Sequence, residues 1–73
     1  MFDNSALIVS LQQIDGDNLA QAGVQFLLHG KLKPDMKSFK DFYSLGIVDD
    51  FGNPRVNIGQ LINAINFVSL NKE

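Results

Sequence analysis

The chain has 73 residues, 45% of them apolar, a net charge of −2 and no cysteine. That length allows one small domain with a marginal core, and the composition excludes disulfide staples, thiolate metal sites and, with His29 the single histidine, histidine-rich metal sites. The slight acidity argues against nucleic acid and for a basic partner. Apolar runs such as Ala6-Leu7-Ile8-Val9 and Phe26-Leu27-Leu28 fall far short of a membrane span, and no basic segment followed by an apolar one opens the chain. A soluble, intracellular protein without direct membrane insertion is expected.

In chain order, Asn4 or Ser5 can cap a first helix whose apolar positions Leu7, Leu11 and Ile14 recur at helical spacing, with a stop expected at Asp15-Gly16-Asp17. A second helix follows, with Asn18 and Gln21 as a capping box. Its polar face reads Asn18, Gln21, Gln25 and His29, its apolar face Leu19, Val24, Leu27 and Leu28, and Gly30 is the C-terminal stop. After Lys31-Leu32-Lys33, Pro34 and Asp35 suit the first turn of a third helix. Met36, Phe39, Phe42 and Leu45 face one way there, Lys37, Lys40, Asp41 and Ser44 the other, and Gly46 ends it. A fourth helix runs from an Asn57 cap, with Gln60 at the capping-box position, through Ile58, Leu61, Ile65 and Val68 to about Leu70. The expected class is all-α, with four helices in two helix-loop-helix units spanning residues 5–30 and 35–70 of a single domain.

Between the third and fourth helices lies Asp49-Asp50-Phe51-Gly52-Asn53-Pro54-Arg55-Val56-Asn57-Ile58-Gly59-Gln60. Set on the twelve-residue EF-hand frame, Asp49 takes the first position, Asn53 the fifth, Val56 the apolar eighth, Asn57 the ninth and Gln60 the twelfth. This spacing resembles an EF-hand, while Phe51, Pro54 and Gln60 stand where a calcium loop needs an oxygen ligand, a glycine and a bidentate Glu. Proline cannot adopt the positive φ of that glycine. An internal repeat that places Leu19 opposite Val56, 37 residues apart by subtraction, also sets Ile14 near Val48 and matches Val24, Leu27 and Leu28 to Leu61, Ala64 and Ile65. The first loop, between Asp15 and Leu19, is three residues short of the frame, so Asp15 and Asp17 cannot form a normal ligand cage.

As one degenerate EF-hand pair, the chain resembles the small single-lobe light chains of class I myosins. That resemblance implies a calcium-independent light chain in the cytoplasmic actomyosin cytoskeleton, with no cofactor or metal and monomeric when free. Its partner would be an IQ-motif helix, basic and amphipathic, from a myosin heavy chain neck. Leu11, Ile14, Leu27, Leu28, Leu45, Leu61, Ile65 and Val68 would be inward or cleft-lining, with Met36, Phe39 and Phe42 on the third helix between them. Asp15, Asp17, Asp49 and Asp50 would meet the partner's Arg residues at the rim. Apolar stripes at helical spacing are most often simply core, and such Asp residues often only cap and shape loops. With two Met in the chain, the groove lacks the adaptability of a promiscuous binder.

Four of the six Lys and Arg residues fall at Lys31, Lys33, Lys37 and Lys40, interleaved with Asp35 and Asp41, the pattern of a solvated face. His29 has no catalytic partner in the sequence. Neither a nucleophile elbow, a glycine-rich phosphate loop nor an HExxH pattern is present, so no enzyme is expected. The alternative is a small helical regulator or nucleic-acid-binding protein unrelated to EF-hands, weakened by a fourth helix, Ile58 to Leu70, with no Lys or Arg.

Overall fold

Asp15 begins one of the two longest helices among the described residues. A computed structural model describes residues 4–71, and in it the Asp15 carboxylate accepts the Asn18 backbone N–H at 3.3 Å, satisfying one of the free donors at a helix start. Helix α2 runs from there over Gly16–His29 and stops at Gly30, whose φ of 72° lets its N–H bond to the Phe26 carbonyl. The cap is thus Asp15, three residues before the expected Asn18, because its carboxylate already reaches the first turn.

Helix α1 spans Asn4–Leu11 and ends four residues before Asp15, its last turn closed by hydrogen bonds from Gln13 to Ser10 and from Ile14 to Leu11. Asn4 and Ser5, the expected caps, both lie inside that span. Helix α4 covers Ile58–Asn71, and the Asn57 side chain accepts the Gln60 N–H at 3.0 Å, as the sequence suggests. The reciprocal bond of a capping box is missing, since the Gln60 amide oxygen is buried without a partner.

The third helix is much shorter than its sequence pattern. Only Phe39–Ser44 forms α3. Residues 33–39 wind instead through tight three-residue turns, Met36 N–H to Lys33 and Phe39 N–H to Met36. Leu32 explains the difference, because it is wholly buried and its N–H bonds to the Gly52 carbonyl at 2.8 Å. The chain is pinned there, and Met36 precedes α3 rather than lying on it. Gly46, at φ 77°, still ends the helix as expected.

The described residues form an all-α protein of four helices, with one isolated antiparallel bridge between Val48 and Pro54. Helix α4 is central and packs against both α2 and α1. Leu61, Ala64, Ile65 and Val68 of α4 meet a core that includes Leu7 and Leu11 of α1, Leu19, Ala22 and Phe26 of α2, Phe42 of α3, and Ile14, Leu32, Ile47 and Val48 between helices. Phe26 and Phe42 pack as tilted rings 5.8 Å apart. At Gly23 the backbones of α2 and α4 approach so closely that an added Cβ would sit 2.9 Å from the Ile65 Cγ2.

Burial also changes the repeat register. Helices α2 and α4 each have 14 residues and bury the same four-position pattern, Leu19/Ala22/Gly23/Phe26 and Leu61/Ala64/Ile65/Val68. Leu19 therefore corresponds to Leu61, an interval of 42 by subtraction, rather than to Val56. Leu19 lies inside α2 and Val56 lies before α4. Val24, Leu27 and Leu28 are 50%, 70% and 68% exposed, whereas Leu61, Ala64 and Ile65, to which the sequence repeat matches them, are buried.

Candidate functional site

Helix α2 is apolar around more than half of its circumference. With 3.6 residues per turn, the buried Leu19, Ala22, Gly23 and Phe26 occupy one arc, and Ala20, Val24, Leu27 and Leu28 occupy a second arc turned by roughly 130°. Nothing in the described chain covers the second arc. Leu27 and Leu28, expected to face inward, face outward, because the closest approach to α4 falls at the small residues Ala22 and Gly23. The polar remainder, Asn18, Gln21, Gln25 and His29, is where the sequence places it.

The other expected cleft residues separate into two groups. Leu11, Ile14, Leu61, Ile65 and Val68 are at most 3% exposed and form the core itself. Met36, Phe39 and Leu45 are partly buried and pack against that core, and Phe39 also stacks on Tyr43 at 5.9 Å. These residues leave no open cleft of their own, whereas Val24, Leu27 and Leu28 on the outer arc of α2 stand exposed.

The acidic residues stand at two places. Asp15 caps α2 and Asp17 is exposed in its first turn, so both lie at the N-terminal end of the helix, Asp17 on the side of the bare arc. Asp49 and Asp50 lie in a turn bracketed by the Val48–Pro54 bridge. One Asp49 carboxylate oxygen accepts the N–H groups of Phe51 and Asn53, each at 2.9 Å. Partial burial pushes this carboxyl up, but hydrogen bonds from the Asn53 and Phe51 backbones, the Asn53 side chain and the Gly52 backbone outweigh it and hold the group below its ordinary value. Its oxygens therefore serve their own loop. The Asp50 carboxylate facing the Tyr43 hydroxyl, through hydrogen bonding and its charge, with some desolvation, pushes the phenol above its ordinary value against a weaker opposite pull from Arg55.

Tyr43, Asp49, Asp50, Phe51 and Arg55 line an open depression that the sequence does not announce, since Tyr43 and Arg55 are linked only through the folded turn. Phe51, at the oxygen-ligand position of the frame, is 70% exposed on its rim. No three metal-ligating side chains cluster among the described residues. No described helix is long and apolar enough to cross a membrane. Compared with known proteins, the chain matches no family model, no curated protein and no solved structure at a significant level.

Proposed function

We propose that this chain is a non-enzymatic adaptor that binds an amphipathic helix along the outer arc of α2, as a calcium-independent, single-lobe light chain of the class I myosin type. The observation that carries the reading is the exposure of Val24, Leu27 and Leu28 at helical spacing on one face of a well-capped helix. Contiguous exposed apolar surface of this kind marks docking sites, and anchors at this spacing suit helix-on-helix recognition. Asp15 and Asp17 at the N-terminal end of the helix supply the negative charge that Arg and Lys of an IQ helix would meet.

The finer description, α1–α2 and α3–α4 as two paired EF-hand-like units, belongs to this proposal and rests on the spacing of helices about the two loops. Because Leu11, Ile14, Leu61, Ile65 and Val68 fill the core, the partner's seat in this reading is the back of α2 rather than a cleft between the units. Asp50 would add rim charge. Calcium plays no part, since Asp49 spends its carboxylate on its own turn. Such a partner would place the protein on the cytoplasmic actomyosin cytoskeleton.

Calorimetric titration with synthetic IQ-motif peptides, in chelator and in millimolar calcium, tests the reading. One-to-one binding, equal in both buffers and lost in Leu28→Asp, is the expected result. Leu28 is 68% exposed, so that variant keeps its helix content and separates loss of docking from unfolding. No heat with any of several IQ peptides refutes the myosin assignment.

A further inference from the structure

The outer arc of α2 is self-complementary, and we propose that a second copy of this chain covers it, with the two α2 helices antiparallel about a two-fold axis near Val24. The acidic residues Asp15 and Asp17 stand at the N-terminal end of the helix, and His29 lies in its last turn with Lys31 and Lys33 following just beyond Gly30. An antiparallel copy therefore brings the acidic end of one helix to the basic segment that follows the other, twice over, as an isologous contact requires. The same register sets the small Ala20 against the large Leu28 at both ends and Val24 against Val24 at the centre. Small against large lets two helices approach, and antiparallel alignment also opposes their dipoles favourably.

The contact uses the same arc as the IQ reading but does not depend on it, because no other molecule takes part. A 14-residue helix is about 21 Å long. One helix pair of that length falls below the roughly 1,200–2,000 Å² of a standard interface, so the expected association is weak and reversible. A target helix and a second copy compete for one surface, so the dimer holds the face closed until a target displaces it.

Sedimentation equilibrium of the protein alone, from micromolar to near-millimolar concentration, reads the assembly directly. The expected result is a concentration-dependent rise from 8.1 kDa towards about twice that mass. Leu28→Glu is expected to weaken association at least about tenfold while leaving the circular dichroism spectrum unchanged. Asp17→Lys and Lys31→Asp each weaken it by about three- to tenfold by placing like charges together, and the two combined restore it. A monomer at every concentration overturns the proposal. So does a dimer indifferent to Leu28→Glu, which would place the contact elsewhere, for instance at the exposed Phe67 and Leu70 of α4. A combined charge variant that stays monomeric overturns the antiparallel pairing. No peptide is present in these measurements, so their outcome is separate from that of the IQ titration.

Discussion

Gly23→Ala tests the close contact where α2 crosses α4. In an isolated helix the change stabilises by about 1 kcal/mol, because alanine is the better helix former. Here the new Cβ would stand 2.9 Å from the Ile65 Cγ2, inside ordinary contact distance. Ile65 is 1% exposed and branched at Cβ, so its methyl cannot swing aside without moving α4. Overpacking of a closed core costs about 1–3 kcal/mol, which leaves a net loss of about 1 kcal/mol in the otherwise unchanged chain. In an Ile65→Leu background the Cγ2 methyl is gone at nearly constant volume, and Gly23→Ala should then stabilise by up to about 1 kcal/mol. The assay is a double-mutant cycle by urea unfolding, checked by thermal melts in which 1 kcal/mol moves a domain of this size by roughly 4–8 °C. A stabilising Gly23→Ala in the unchanged chain, or the same effect in both backgrounds, refutes the packing described for α2 and α4.

Gly52→Ala should destabilise by more than about 2 kcal/mol, because φ there is 85° and a Cβ would run into the Leu32 carbonyl; melts close to wild type would show that Leu32 is not pinned to this turn. Tyr43 is the single tyrosine, so its ultraviolet titration reads one group: the midpoint should lie above 10.0 and fall in Asp50→Ala. With the folded value raised, the stability that this hydrogen bond contributes is complete below pH 10.0 and is lost as pH rises through the folded value, so the alkaline limb of the stability curve should flatten in Asp50→Ala. An unchanged midpoint would remove the Tyr43–Asp50 bond from the depression. Asp15→Ala should cost about 1 kcal/mol by removing the α2 cap, while Asn18→Ala stays within about 0.5 kcal/mol; the reverse order in urea unfolding would restore Asn18 as the cap.

Local chemistry made much of the fold legible. Gly30 and Gly46 mark helix ends because positive φ is open to glycine, and Asn57 caps α4 because its side chain reaches the free N–H of Gln60, three residues on. The core face of α4 follows from its periodicity, since Leu61, Ile65 and Val68 recur at helical spacing and are buried. On α2 the same reasoning misplaced the interior. Its apolar arc is about twice as wide as one neighbouring helix can cover, and hydrophobic spacing cannot say which half is covered.

The bare half of that arc is also the candidate site, and Leu27 and Leu28, expected to line an inward cleft, stand on its outer surface instead. Tyr43 and Arg55 carried no signal, and Asp50 was legible only as a rim charge, because a turn must close before the three meet. Leu32 read as linker between two lysines, and only its seat beneath the 48–54 turn makes it core and shortens α3. By itself the sequence determined the all-α class, the helix stops at Gly30 and Gly46 and the inward faces of α1 and α4, because these depend on backbone conformation and periodicity within one segment. Tertiary structure alone decided the interior of α2, through the approach that Ala22 and Gly23 allow, and the fate of the 49–60 loop, whose Asp49 turns its carboxylate onto neighbouring N–H groups. Those outcomes depend on which surfaces meet, and a pattern along one segment carries no information about the shape of its neighbour.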